Sequence, residues 1–585
     1  MSMQFSKLAE YFARIEATSL RNEKTVILAE ILKESSGDEV DKLVYLALGG
    51  LQPQFNRLEF QMADKMILRA IGASEGEYQR IGDLGELAMI VKNKLQTPNS
   101  NLQINSNVQT IKQVYEALEK IARQSGVGSQ ERKVAGLAKL IRESDSESAK
   151  YIVRMVAGKL RLGFSDKTII DALSYLENGT KDYSDRLENA YQRRPDVGVL
   201  AQKVKETGAE RAAESISIVM GTPVVPALAQ RLKTAREMLE KMGRVYVEPK
   251  YDGTRVQIHF RREGFGANNE LTLFGTGESA QVKTFTRNLD ESSAMFPELE
   301  NIATQIKAEE VILDSEAVGY DPKSGNLVPF QLTITRKRKH GVEAASASVP
   351  LKFFVFDIMY RDGKSLIHLP LRARRKILAE TVVGEGVLQV DGYIETEEPD
   401  VLREYHKKQL AAGLEGALVK QVDGQYMPGR TGFNWVKFKE SEDSQAKLSD
   451  TLDVVIMGYY RGKGKRSGFT LGAFLVGIKD GEQILTLAKV GTGITDKVFG
   501  ELGERLKKCG ILNPKPEYSV PKTLEPDVWV EPKIVVEVAA DEITISPTHS
   551  AGYALRFPRL VKFREDKGVE QITTLTEVTG MYEQG

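Results

Sequence analysis

The chain has 585 residues, 41% of them apolar and 28% charged, a normal globular balance with core material for about three or four domains. Lys plus Arg and Asp plus Glu both total 81, so net charge points to no class of partner, and any nucleic-acid surface has to come from local segregation of charge. The single cysteine, Cys509, excludes a disulfide framework and a zinc site built on several thiolates, and no apolar run is long enough to span a membrane.

The N-terminal stretch MSMQFSKLAEYFARIE is amphipathic with early acids, so it reads as neither a signal peptide nor a spanning helix. A cytoplasmic enzyme or assembly factor fits these limits. Residues 1–215 contain only Pro53, Pro98 and Pro195, and their apolar spacing is helical. Leu8, Tyr11, Phe12 and Ile15 follow the i, i+3, i+4, i+7 rule, as do Ile111, Val114, Tyr115 and Leu118. At GTPVVPALAQRL (221–232) the texture changes to a Pro-marked linker with one short helix after it. From Val245 onward short β-rich runs dominate (RVQIHF, EVILDSEAVGY, LKFFVFDIMY, GALVKQVDG) and alternate with helical stretches such as LREYHKKQLAAG. A polar hinge, KESEDSQAKLSD (439–450), precedes a last β-rich block with TLDVVIMGYYRG, a hairpin across KDGE and KIVVEVAADEI. Short strands and Gly-rich turns there suggest a small barrel such as an OB-fold.

The stretch VEPKYDGTRVQIHF (247–260) carries the first chemical signal. In an extended segment Lys250 and Asp252 share a face, Gly253 permits a tight turn, and Arg255 keeps the same parity. An amine beside a carboxylate and a guanidinium suits attack on a phosphate. An unperturbed lysine is only about 0.1% neutral near neutral pH, so such a site has to lower its pKa through cations or a metal. Taken alone, K-x-D-G-x-R is weak evidence and reads more readily as a solvated lysine at a strand end. Further segments follow in order: FTRNL with Arg287, ILDSEAVGY with Asp314 and Glu316, and FFVFDIMY with Phe356 beside Asp357. EGALVK then gives Glu415 and Lys420, WVKFK gives Lys437 and Lys439, and RFPRLVKFREDK lies near the end.

This ordered set resembles the nucleotidyltransferase motifs of ATP-dependent DNA ligases, archaeal type, related to the eukaryotic replicative ligase, over nearly the whole chain. The resemblance implies a multidomain fold: an all-α DNA-binding domain (1–215), an α/β adenylation domain (216–439) and a C-terminal β-barrel OB-fold (440–585). It implies sealing of 5′-phosphate/3′-hydroxyl nicks in duplex DNA with ATP, in replication, repair and recombination, through a lysyl-AMP on Lys250 and an adenylated DNA. Displacement at phosphorus is catalysed mainly by positioning and charge neutralisation. By resemblance, Glu248 accepts from adenine and Phe356 stacks on it, although Phe356 by itself reads as core. Glu316 and Glu415 hold Mg²⁺, or Mn²⁺ in its place, or contact the ribose, although either reads alone as an ion-paired strand residue. Arg255 and Arg287 bind nucleotide or the nick 5′-phosphate, and Lys437 and Lys439 face the α-phosphate. Asp252 and Asp314 support the site. Arg556, Arg559, Asp566 and Lys567 belong to a tail that swings over it about the polar hinge, a segment that alone reads as a solvated charge cluster. GVGSQERK and AGKLRLGF resemble loops that grip the minor groove, with Lys133, Lys159 and Arg161 neutralising phosphates.

Three departures accompany the match. GRTGFNWVK keeps Arg430 as a nucleotide contact but has Thr431 where a second base is expected. The stretch between Phe260 and Phe285 is long for a hairpin, and no clamp-binding motif stands near LQTPNSNLQIN, so a sliding-clamp partner rests on the family alone. The chain is expected to act as a monomer. A capping guanylyltransferase would use GTP and needs no helical region before its lysine, and an RNA ligase usually lacks both the helical clamp and this OB-fold ending. An NAD-dependent DNA ligase needs a four-thiolate zinc module. A nucleic-acid scaffold leaves Lys250, Glu316, Glu415 and Lys437 without a reason to coexist.

Overall fold

The computed structural model describes residues 2–95, 109–232, 234–265, 281–328, 349–429, 432–438, 451–461, 471–491, 496–540 and 542–584. From Phe5 to Ser215 the described residues form thirteen α-helices around one core. The periodic residues read from the sequence form that core: Leu8, Phe12 and Ile15 on Phe5–Glu16, and Ile111, Val114 and Leu118 on Ile111–Ala122, are all fully buried. Lys24 crosses this core to donate to the Leu162 carbonyl at 2.6 Å, which fixes the GKLRLGF loop from behind.

Lys133 corrects an expectation. Its side chain is buried and its ammonium donates to the Phe60 carbonyl at 2.8 Å, so it is a structural lysine and not a phosphate contact. Arg161, with φ +63°, gives its guanidinium to Asp83 at 2.9 Å, while Lys159 is exposed. No helix among the described residues is long and apolar enough to cross a membrane.

The middle of the chain builds two sheets. The first contains β1 (Gln230–Leu232), β2 (Val245–Pro249), β9 (Ile394–Thr396), β10 (Ala417–Gln421) and β11 (Trp435–Phe438), in spatial order β1-β11-β10-β2-β9. The second contains β3 (Thr254–Arg261), β4 (Val282–Thr286), β5 (Glu310–Gly319), β6 (Leu351–Arg361) and β7 (Lys364–Ser365), in order β4-β3-β5-β6-β7, with β8 (Leu388–Val390) alongside β6. Each sheet packs one face onto its own core. Val247, Val419, Val436 and Phe438 meet the helices Ala235–Met242 and Pro399–Ala411. Val256, Ile258, Phe260, Leu313, Phe353 and Val355 meet Leu378 of the helix Leu371–Thr381. The opposite faces of the two sheets meet each other, where Ile312, Phe356 and Met359 pack with Tyr426 and Trp435.

The last block has β12 (Leu452–Tyr460), β13 (Ala473–Asp480) and β14 (Gln483–Val490), with the KDGE turn pairing Asp480 with Gln483 as expected. With Val535–Ala539 and Arg559–Phe563 they belong to an eight-stranded sheet with a large apolar core on one face and a smaller apolar cluster, Val455, Met457, Leu475 and Val535 among it, on the other. The hinge at 439–450, the clamp-motif segment around 96–105 and the insertion at 266–280 lie outside the described residues.

Candidate active site

Strand alternation decides which side chains reach the junction of the two sheets, because residues in register across a sheet share a face. In the first sheet Glu248, Leu418, Lys437 and Arg231 form one such row, and Tyr246, Lys420 and Trp435 form the next row on the same face. In the second, Arg255 lies opposite Glu316 and Glu316 opposite Phe354. The register shifts between Asp314 and Ser315, and Phe356 is the extra residue of that bulge. Bulges re-aim side chains. Here the ring meets Lys420 Nζ at 4.5 Å and the edge of Trp435 at 5.9 Å.

Lys250 follows β2 directly. Its amide donates to the Gly416 carbonyl and its carbonyl accepts from the Glu415 amide, both at 3.0 Å, so the two segments are locked in register. Gly416 stands at φ +124°, where a side chain would also run into the His406 ring. The Lys250 ammonium is in direct ion pair with the Glu415 carboxylate, and Arg556, the last residue of the strand Tyr553–Arg556, reaches the same carboxylate at 3.2 Å. Tyr251 turns the other way. It stacks on Phe354 (4.2 Å, 17°) and donates to Asp391 at 2.9 Å. Gly253 lets the chain fold back onto β5: a methyl there would lie 2.6 Å from the Ala317 carbonyl oxygen and 2.8 Å from Glu316.

Arg255 makes a forked pair with Asp314, Nε to Oδ1 at 2.9 Å and Nη2 to Oδ2 at 2.6 Å, and Tyr426 donates to the same carboxylate at 2.7 Å. A third guanidinium nitrogen donates to the Ala227 carbonyl. This buried network fixes Arg255 in the wall. Glu248 is buried and paired through Oε2 with Lys420, also buried. Asp391 sits nearby, its carboxyl pushed up to about 7 by burial and then by the Glu248 carboxylate.

Glu316 has its carboxyl pushed up to about 7 by burial, with Asp314 and Asp252 adding to the rise and Arg255 and Lys250 opposing it. A carboxyl raised in the fold destabilises it when ionised. That cost sets in above the ordinary glutamate value and is complete above pH 7. Glu316→Gln is therefore expected to raise the melting temperature at pH 8 and to leave it nearly unchanged at pH 5; an equal shift at both pH values would contradict the assignment.

Of the residues singled out from the sequence, Glu248, Lys250, Arg255, Asp314, Glu316, Phe356, Glu415, Lys437 and Arg556 are assembled around this junction. Asp252 contributes its charge next to Glu316 but makes no ion pair among the described residues. Arg287 is exposed at the turn after β4, with no hydrogen bond or ion pair among the described residues. Asp566 pairs with Arg564 at 2.7 Å, and Lys567 with Asp453 of β12 at 2.6 Å, so this charged tail is anchored on its own sheet. Arg430 and Lys439 lie outside the described residues. Sequence reasoning missed Tyr426, Asp391, Arg374 and Arg375. Tyr426 and Asp391 lie in short turn-like stretches with no pattern, and two arginines on an amphipathic helix read as solvated charge.

The three parts of the chain match three family descriptions in order: "DNA ligase N terminus" over residues 4–174, "ATP dependent DNA ligase domain" over 226–268 and 273–439, and "ATP dependent DNA ligase C terminal region" over 467–567. The chain belongs to the ATP-dependent DNA ligase family. This ligase is 39% identical over 599 residues to a protein named probable DNA ligase in Dictyoglomus thermophilum, covering 99% of this chain and 97% of that one. It is 35% identical to a DNA ligase of Sulfolobus acidocaldarius, with 99% and 98% covered. A solved structure named Pmar-Lig_PreS3 shares the fold, with TM-score 0.54, 17% identity, and coverage of 95% of this chain and 99% of the other. The ligase is thus an enzyme that seals nicks in DNA with ATP as cosubstrate.

Proposed function

We propose that Lys250 is the nucleophile of this ligase and that the junction of the two sheets is its nucleotide site. The observation that supports this most is the ion pair of Lys250 with Glu415, with the Glu316 carboxyl of the second sheet acting on the same ammonium. Carboxylates alone hold the proton on, so the cations that would lower the lysine's pKa are Lys437 and the metal that the two carboxylates would hold. The lysine amine, once free of its proton, forms a P–N bond to the α-phosphate of ATP, the bond to the β-phosphate breaks, and pyrophosphate leaves. An oxygen of the nick 5′-phosphate then takes the AMP from the lysine, with cleavage of the P–N bond. The 3′-hydroxyl attacks the 5′-phosphorus, a phosphodiester forms and AMP departs. Through these steps Lys437 neutralises phosphate charge and Glu248 and Phe356 hold the base, while Arg255, set by its fork with Asp314, and Arg287, exposed on the turn after β4, are assigned to phosphate on the motif match. Arg430 and Lys439 are assigned to nucleotide contacts, and Asp252, Arg556, Asp566 and Lys567 to supporting roles, on the motif match.

Glu316 and Glu415 fit a magnesium ion. Mg²⁺ favours one or two carboxylates with the remaining positions left to phosphates and water, and these two carboxyls both act on the Lys250 ammonium, where the α-phosphate would sit. When bound, Mg²⁺ or Mn²⁺ neutralises charge on the phosphate oxygens. The protein's own part is to hold both carboxylates beside the Lys250 ammonium. Domain limits at 1–215, 216–439 and 440–585, a monomeric state, a sliding-clamp partner and a cytoplasmic, nucleoid-associated location complete this reading, on the family's pattern.

A metal titration tests it. Self-adenylation by Glu316→Gln and Glu415→Gln should need about tenfold more Mg²⁺ for half-maximal rate, the scale expected when a metal's carboxylate environment is weakened. An unchanged Mg²⁺ requirement in both variants would overturn the assignment.

A further inference from the structure

We propose that Arg375 is a positioning residue for base selection: its guanidinium, hydrogen-bonded to the main chain of Phe356 and Asp391, holds a positive charge beside the Glu248 carboxylate, so that the site takes a purine with a 6-amino group and disfavours one with a 6-oxo group. This inference rests on the reading of Glu248 and Phe356 as base contacts.

The starting point is an oddity of burial. Arginines are almost never fully buried unless paired, yet two consecutive arginines of the helix Leu371–Thr381 are inside. Arg374 is accounted for by a forked pair with Asp357. Arg375 has no such carboxylate of its own. Its Nη1 donates to the Phe356 carbonyl at 3.2 Å and lies 3.9 Å from Glu248 Oε1, its Nη2 donates to the Asp391 carbonyl, and its flat face lies 4.8 Å from the Tyr393 ring. One rigid fork therefore spans β2, β6 and the segment after β8, which carry Glu248, Phe356 and Asp391. Such planar, pre-organised reach is what a guanidinium offers and an ammonium does not.

The second observation concerns Glu248 itself. Its Oε2 is taken by Lys420, but its Oε1 has no hydrogen-bond partner although the residue is only 1% exposed. A buried acceptor without a donor is costly and marks a place where a ligand donor is expected. A carboxylate flanked by two cations accepts only, so it welcomes an amino group and opposes a carbonyl oxygen. Arg375 stands too far from Oε1 for a good hydrogen bond. It holds the charge and the spacing while leaving that lone pair open, and Tyr251, bonded to the Asp391 carboxylate, links the same anchor to the turn that bears Lys250.

The test compares ATP with inosine triphosphate in self-adenylation by the full-length enzyme. The ratio of the two kcat/KM values on one preparation does not depend on the fraction of enzyme that is folded. Wild type should prefer ATP. Arg375→Met should lower that preference by about tenfold, chiefly through KM for ATP, the scale on which residues that orient a contacting group act. Arg375→Lys keeps a cation but cannot span the three partners, and should fall between the two. Glu248→Gln should lower the preference at least as far as Arg375→Met. A wild-type ratio in Arg375→Lys, or in Arg375→Met while Glu248→Gln is altered, overturns the role of Arg375 and leaves the base reading standing. A wild-type ratio in Glu248→Gln, or a wild-type enzyme that uses both nucleotides alike, overturns the inference together with the base reading beneath it.

Discussion

Replacing Lys250 with alanine is expected to reduce self-adenylation by about four orders of magnitude or more, the scale seen when a covalent nucleophile is removed. Sealing of ordinary nicks with ATP should fall with it, because among the described residues Lys250 is the amine that pairs with Glu415 and acts on the Glu316 carboxyl. Sealing of nicks already carrying AMP should fall less, since the 3′-hydroxyl is then the nucleophile. Lys250→Arg is the informative companion. It keeps the positive charge and the ion pair with Glu415 but offers no amine that can lose a proton, so it should be as inactive in self-adenylation as the alanine variant. Radiolabel from ATP retained by the protein checks both. An active arginine variant would mean that Lys250 acts only as a charge.

Asp357→Ala is expected to destabilise the fold by about 3–5 kcal/mol, the cost of leaving one member of a buried ion pair without its partner. Both side chains of the Asp357–Arg374 pair are fully enclosed, bonded at 2.8 and 2.9 Å. Arg374 also donates to the carbonyls of Leu369 and Gly424, so the pair joins β6 and the helix Leu371–Thr381 to the turn after β10. Burial pushes the Asp357 carboxyl up, and the Arg374 guanidinium more than offsets it, leaving the value below the ordinary one. The pair's contribution is then present above about pH 4, the ordinary aspartate value, and is lost as pH falls through the lower folded-state value. Chemical denaturation at pH 7 and pH 3 checks this: the gap between wild type and variant should be wide at pH 7 and narrower at pH 3. A gap that widens on acidification would contradict the assignment.

The fold was legible wherever burial imposes a period. The helix Phe5–Glu16 buries Leu8, Phe12 and Ile15 as its spacing predicts, and the runs EVILDSEAVG and LKFFVFDIMYR became the paired strands β5 and β6. The site was legible only through order and resemblance, because Lys250 and Glu415 are far apart in the chain and meet only through the β2–β10 pairing. Lys133 was misread for a physical reason. A lysine after a Gly-rich turn looks solvated, and nothing in the sequence reveals that a carbonyl from Phe60 waits for it inside the helical core. The arginines behind the junction escaped for the same reason: pairing across elements has no local pattern. The bulge that turns Phe356 toward Lys420 is likewise a product of register, which only the assembled sheet specifies.

The central claim, that Lys250 carries AMP, is tested most directly by locating the modification. The wild-type ligase is incubated with Mg²⁺ and ATP labelled at the α-phosphate, the acid-labile, alkali-stable adduct is kept at high pH during digestion, and the labelled peptide is sequenced by mass spectrometry. The account predicts one adenylated peptide, spanning VEPKYDGTR, with AMP on Lys250. An adduct on any other residue, or label that arises from GTP or NAD in place of ATP, would contradict it.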